Sequence, residues 1–317
     1  MVLNKKSNSI LVTGGAGFIG SNIVEKLLNE KNKVIVFDNF LRGKKNNFDN
    51  KNIKIIDGDI RKINDLDKIK TKIDTVIHLA YLNGTKYFYD NPDLVLDIGI
   101  KGLVNIFDYC KRKKIKNLIL FSSSEVYQNP TKIPTTEMER MIIPNPFNPR
   151  YSYSAGKIIT EIMGINYAKF FKKLIIIRPH NVYGPNMGKE HVIPEIIMKF
   201  NKLKNKKIVK IIGDGTETRS FIYISDFVDA FYRVLIKGKH KNIYNLGNNE
   251  EISIKNLTKK IGKLFNKDFK IQYLKGHLGN TPRRCPSIIK IKKLGYKQNY
   301  SIEKGLKLTI NSYLNSL

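Results

Sequence analysis

Short apolar runs alternate with amphipathic stretches through the first half of the chain. The runs at 9–14 (SILVTG), 33–38 (KVIVFD), 53–59 (IKIIDGD), 74–80 (DTVIHLA) and 116–124 (KNLILFSSS) are rich in Ile and Val. Continuous runs of this kind read as strands buried on both faces of a parallel sheet. Helical periodicity occupies 19–30, 62–70 and 92–113. Strand and helix in strict alternation predict an α/β fold with a doubly wound parallel sheet. The stretch 129–149 breaks the rhythm. It holds five of the eleven prolines and predicts a long surface loop. A helix over 151–171 and a strand over 173–179 (KLIIIRP) complete this half.

Beyond Pro179 the pattern loosens. Helices are expected near 192–204, 226–237, 253–265 and 301–315, with strands near 208–212 and 243–246. The division expected is a sheet domain over 1–179, joined by part of 221–247, and a smaller α/β domain over 180–317 that holds the substrate. No internal repeat is visible.

Composition narrows the class. No apolar stretch is long enough to span a bilayer, and the opening MVLNKKSNS lacks a signal peptide's apolar core. A cytoplasmic protein with no membrane partner is expected. Cys110 and Cys285 form no disulfide framework and have no metal-ligand spacing, so no metal is expected. Lys and Arg number 57 against 27 Asp and Glu, a formal net charge of +30. Only ten of the 57 are arginine, and the lysines are dispersed. KRKKIK (111–116) and NKLKNKK (201–207) stand where helices end, which suits the helix dipole. That distribution argues against nucleic acid and leaves a field that attracts phosphate-bearing small molecules.

Three glycines carry the first chemistry. Gly14, Gly17 and Gly20 form G-x-x-G-x-x-G where the first strand meets a helix, and Phe18 and Ile19 between them are expected at the cofactor. Such a turn lets backbone approach a pyrophosphate and offers it free helical N–H groups, as in Rossmann-type dinucleotide sites. Asp38 ends the second strand eighteen residues past Gly20, with Asn39 beside it. A carboxylate there accepts ribose hydroxyls and repels a 2′-phosphate, which favours NAD over NADP. Asp59 and Ile60 are candidates for the adenine edge, and Asp59 is equally a cap for the next helix.

YSYSAGK (151–157) places Tyr153 and Lys157 four apart, on one helical face. An ammonium beside a phenol favours the phenolate and lowers the pKa from about 10. Such a phenolate takes a proton from an alcohol. FSSSEVY (121–127) ends the fifth strand, at the sheet edge where ligands bind. A serine cluster there is also ordinary turn chemistry.

Glycine loop, serine cluster and Tyr-x-x-x-Lys, in this order, resemble the extended short-chain dehydrogenase/reductase family, which modifies nucleotide sugars with NAD. The resemblance implies Ser123 as catalytic partner of Tyr153 and Lys157. It also implies roles beyond the hydroxyl chemistry for Ser124 and Glu125. Leu79, Ala80 and Tyr81, after His78, are expected near the cofactor, as is Pro179; His78 itself reads as a packed residue. Asn181 in RPHNVYGP is expected at the substrate diphosphate. Arg219, with Arg284 and less clearly Arg283, is expected at the nucleotide and phosphates, and His191 with Pro194 along the nucleotide pocket. Ion pairing is the plain alternative for each arginine. A homodimer built on a four-helix bundle from 92–113 and 153–171 is also implied.

Four positions depart from the family pattern: Tyr81 for alanine, Gly99 for the asparagine of N-V-x-G-T, Gln128 for glycine and His180 for phenylalanine. The implied reaction is oxidation of the sugar C4 hydroxyl, in the making of surface-glycan precursors. Epimerisation at C4 stands ahead of 4,6-dehydration because Ser124 occupies the dehydratase aspartate position. C6 decarboxylation and net dehydrogenation follow. A catalytically silent NAD-binding regulator is the reading from another class.

Overall fold

In the computed structural model, residues 8–48, 53–203, 207–275 and 281–315 are described. Residues 1–7 and the middle of the 201–207 lysine segment lie outside them. The first half runs β1 (Ser9–Thr13), α1 (Phe18–Asn29), β2 (Lys33–Asp38), β3 (Lys54–Asp57), α2 (Ile63–Leu66) and β4 (Thr75–His78). Then come α3 (Thr85–Asp90), α4 (Pro92–Arg112), β5 (Asn117–Phe121), α5 (Ser152–Tyr167) and β6 (Lys173–Pro179). The second half begins with β7 (Val182–Tyr183), α6 (Val192–Asn201), β8 (Ile208–Ile212), β9 (Thr218–Ser220), β10 (Ile222–Tyr223) and α7 (Ile224–Lys237). It ends with β11 (Asn242–Leu246), β12 (Glu251–Ser253), α8 (Ile254–Leu264), β13 (Lys270–Leu274), β14 (Arg283–Arg284), α9 (Ile289–Lys293) and α10 (Ile302–Asn315).

Seven strands form the main sheet in the order β11-β6-β5-β4-β1-β2-β3. The pairs from β6 through β3 are all parallel. Leu11, Val12, Val76, Ile77 and Leu118 through Leu120 are fully buried, as uninterrupted apolar runs require when helices cover both faces. The order reverses between β1 and β4. In a doubly wound sheet this switch point opens a crevice at the carboxyl ends of the strands. The doubly wound α/β architecture expected from the pattern is the one found.

Two helices end earlier than their periodicity suggested. Helix α2 stops at Leu66, because Lys68 and Ile69 bond back only three residues, to Asp65 and Leu66. Helix α5 gives way at Ala168 to a 3₁₀ turn. The 129–149 stretch is irregular apart from a single bridge between Thr135 and Pro286 and the 3₁₀ turn that Pro149 opens.

The chain divides into two compact units. One comprises 1–126, 141–179 and 228–244; the other comprises 127–140, 180–227 and 245–317. In the first, apolar side chains of α4 and α5 pack with the β-strands in a continuous core that includes Phe107, Leu118, Leu120 and Tyr153. In the second, β9 lies between β12 and β14, and β8 pairs in parallel with β13.

Candidate active site

The glycine loop leaves β1 through Gly14, whose φ is +69°. A Cβ there would lie 2.6 Å from the Ala80 backbone nitrogen, so the loop and the end of β4 touch only because Gly14 has none. A Cβ on Gly20 would lie 2.3 Å from the Gly14 carbonyl oxygen. Gly17 differs. It is the N-cap of α1, no side chain caps the helix, and its missing Cβ would meet little beyond the Gly14 oxygen at 3.4 Å. Backbone N–H groups at the start of α1 are thereby left approachable, and no acidic residue stands in the first turn. Phe18 and Ile19 follow, half-buried.

Asp38 ties this loop to β2. Its carboxylate accepts the Ala16 and Phe40 N–H groups, each at 2.9 Å. Burial raises its pKa, while the two backbone bonds pull it down. Asn39 is exposed and accepts the Leu41 N–H at 3.2 Å. Asp59 takes a bidentate grip from Arg61, 2.6 Å at the closest, and Arg61 reaches on to Asp97 at 3.0 Å. Burial opposes the Asp59 charge, but Arg61 outweighs it and holds the carboxyl below its usual range. Asp59 also accepts the Arg61 N–H, turning the chain toward α2, whose N-cap is Lys62. Ile60 is buried against Gly102 of α4. The Leu79 N–H donates to Thr13 at 3.0 Å. His78 is buried against the Thr13 hydroxyl at 2.7 Å, and burial, with help from Lys157, pushes its pKa down to about 3.

The catalytic candidates assemble where β5 ends. Tyr153, in the first turn of α5, is buried, with the Ser123 side chain close enough to act on its hydroxyl. Its ring stacks on Phe88 at 4.8 Å and meets Tyr81 edge-on at 5.2 Å. Ser123 also accepts the Glu125 N–H at 3.2 Å. Ser124 is buried and Glu125 is half-buried. Lys157 lies one turn along, its Nζ donating to the Phe121 carbonyl at 2.7 Å and standing 5.6 Å from the Tyr153 ring centre.

The expected lowering of the phenol pKa is not found. Burial pushes Tyr153 above its usual range; Ser123 and Arg42 oppose this, and Glu125 adds to it. Burial also pushes Lys157 down to about 7, against the pull of Glu161. Removing a phenol from water penalises its anion more than an ammonium turned toward a carbonyl repays.

Sequence reasoning missed the support under Lys157. Glu161 is fully buried one turn further along α5, paired with Arg178 of β6 at 2.5 and 2.7 Å, and takes the Ser122 hydroxyl as well. The four-residue spacing Tyr153, Lys157, Glu161 was a usable signal; Arg178, across the sheet, had none.

In the second unit, Arg219 of β9 and Arg284 of β14 are direct partners on neighbouring strands. Arg219 donates to the Thr218 carbonyl at 2.8 Å and Arg284 to the Thr281 hydroxyl at 3.2 Å. Arg283 instead pairs with Glu251 at 2.5 Å, so it is the arginine the ion-pair alternative describes. Asn181, with φ of +39°, donates to the Ser220 carbonyl at 3.0 Å, next to Arg219. His191 is the half-buried N-cap residue of α6, and Pro194 is buried within that helix. Pro179 ends β6, half-buried. His180 and Tyr127 converge on the Asn245 side chain at 3.1 and 2.8 Å.

Residues 10–247 match the sequence pattern of the NAD dependent epimerase/dehydratase family. The chain belongs to this family. A putative UDP-glucose 4-epimerase of Methanocaldococcus jannaschii is 34% identical over 95% of this chain and 97% of its own. UDP-glucuronic acid decarboxylase 4 of Arabidopsis thaliana is 30% identical over 98% of this chain and 70% of its own. The crystal structure of a Thermotoga maritima UDP-glucose 4-epimerase with UDP-glucose superimposes with a TM-score of 0.87, at 28% identity, covering 97% and 99% of the two chains. The family member described here is an enzyme, and NAD is its cofactor. Its glycine loop fits that cofactor: a Cβ would fill the cradle at Gly14 and Gly20, while at Gly17 the helix end stands open to an anion. Among the described residues no helix is long and apolar enough to cross a membrane, and no cluster suits a metal ion.

Proposed function

We propose that the enzyme is a nucleotide-sugar 4-epimerase acting through a 4-keto sugar. The observation that carries this reading is Tyr153 buried at the carboxyl edge of the sheet beside Ser123, one helical turn from Lys157. NAD, when bound, supplies the acceptor and later the donor of the C4 hydride, and a positive charge that favours the phenolate. Gly14, Gly17 and Gly20 with the start of α1 hold its pyrophosphate, and Asp38 holds its adenosine ribose. Ser123 Oγ steadies the sugar C4 oxygen. Tyr153 Oη takes the proton from that oxygen and gives it back after the keto sugar has turned over. Lys157 keeps the phenolate from reprotonating early. The second unit is the substrate domain: Arg219 and Arg284 grip the diphosphate as a paired anion site while the sugar rotates.

Ser124 favours epimerisation over dehydration, since a serine is no acid for a departing C6 hydroxyl. Decarboxylation of a C6 carboxylate is the second reading. It is favoured by Glu125, whose charge acts on Tyr153, and by the plant decarboxylase relatives.

The test is incubation with UDP-, dTDP- and GDP-linked sugars and uronates, read by mass and NMR. An unchanged mass with a new C4 stereoisomer is expected. Loss of carbon dioxide selects the second reading, and accumulated NADH a net dehydrogenase. Tyr153→Phe should cut turnover about 10²- to 10⁴-fold while NAD still binds. Turnover that survives it rejects the mechanism, and no turnover of any sugar by the parent protein points to a regulator.

The enzyme is further read as a cytoplasmic homodimer. Val104 of α4 and Ile162 of α5 are 39% and 50% exposed, apolar positions that a four-helix bundle between two copies would cover. Light scattering should give twice the chain mass, and Val104→Glu with Ile162→Glu should halve it.

A further inference from the structure

Two departures from the family pattern, Tyr81 and Gly99, are one feature in space. The Tyr81 side chain runs from the loop after β4 into a slot formed by α4 and α5. A Cβ on Gly99 would lie 2.2 Å from its hydroxyl oxygen, and one on Gly156 1.9 Å. Any side chain at 99, the usual asparagine included, would collide with this ring. The slot offers the hydroxyl nothing: Tyr81 Oη is buried without a hydrogen-bond partner among the described residues. An orphaned buried hydroxyl is unfavourable by itself, so the ring is held there by what its faces and edges contact. One face lies 3.8 Å from Lys157 Nζ, and the ring also meets Tyr153 at 85°.

We propose that Tyr81 is the positioning residue of the catalytic pair, its π face clamping the Lys157 ammonium, with Gly99 and Gly156 leaving the room its ring needs. The clamp rests on the role given above to Lys157. It acts on the cation alone, because a ring quadrupole attracts an ammonium and not an amine. Other charges bear on the site from the elements around it. His78 of β4 is neutral, and Glu161 of α5, though paired with Arg178 of β6, still draws on Lys157. Glu125 from the loop after β5 and Arg42 from the loop after β2 act on Tyr153. Losing the aromatic face should lower the Lys157 titration midpoint by about one pH unit. The alkaline limb of the rate profile would move down with it.

The experiment follows the ¹³Cε signal of Lys157 against pH in lysine-labelled protein with and without NAD, the signal assigned by its loss in Lys157→Met. Tyr81→Phe keeps the face and removes only the orphaned hydroxyl, so its midpoint should match the parent. Tyr81→Leu should lower the midpoint by about one unit and shift the alkaline limb equally. Gly99→Ala, which keeps the tyrosine but fills its slot, should shift it the same way, and serves if the leucine variant does not fold. An unchanged midpoint in both the leucine and Gly99 variants, or a phenylalanine variant that behaves like leucine, overturns the proposal. The titration needs no substrate, so it stands or falls apart from the epimerase reading, which the sugar panel decides.

Discussion

At the scale of single residues, the deepest electrostatic commitment is Glu161 with Arg178. Both are almost wholly buried, and the bidentate pair is joined by Ser122. Removing one partner leaves a bare charge in the core. Glu161→Ala should therefore cost about 3–5 kcal/mol, read from urea unfolding, whereas Glu161→Leu with Arg178→Met should recover most of it. If the double variant is no more stable than the single, the pair adds stability beyond desolvation relief. Tyr153, Lys157 and Ser123 were legible as residue types at fixed spacings. Their pKa values were not, because the spacing reports a neighbour and says nothing about burial. Tyr81 and Gly99 were legible as oddities eighteen positions apart. Only the slot opposite Gly156 makes them a pair, and no one-dimensional pattern holds that contact.

At the scale of elements, the β1–α1 turn separates structural glycines from binding ones. Gly20→Ala drives a Cβ into the Gly14 carbonyl, backbone that cannot step aside, so both folding and NAD binding should suffer. A melting loss equivalent to about 1–3 kcal/mol is expected. Gly17→Ala meets nothing closer than 3.4 Å at an ordinary φ of −74°, so stability should fall by less than about 1 kcal/mol. NAD affinity measured by calorimetry should nevertheless drop at least tenfold, because the methyl stands over the helix end that receives the pyrophosphate. Equal losses of stability in the two variants would refute this division. Strands β1, β2, β5 and β6 of the main sheet were legible because each buries a run of three or four apolar residues. Strands β7, β9, β10, β12 and β14 are two or three residues long. A two-residue period needs a longer window, so the part of the fold carrying Arg219 and Arg284 could not be drawn from the pattern.

At the scale of the whole molecule, charge and burial both set the response to pH. A formal charge of +30 strains the fold through self-repulsion, and acid adds to it as carboxylates take up protons. Buried bases act in the same direction for a different reason. His78 binds its proton near pH 6.5 when unfolded but only near 3 in the native protein. Between those values the unfolded chain holds more protons, so stability rises with pH, by up to about 1.4 kcal/mol per unit. It is fully present above 6.5 and is lost as pH falls toward 3. Lys157, displaced from 10.5 to about 7, adds a second rise across that higher window. Salt tells the two origins apart. Repulsion between surface charges is screened at about 1 M salt, where the Debye length is near 3 Å; the cost of charging a buried imidazole is not. Urea midpoints measured from pH 4 to 7 should keep their downward slope toward acid in high salt, and His78→Gln should flatten it. A slope that vanishes with salt alone would assign the acid weakness to the lysine-rich surface and leave His78 without a part in it.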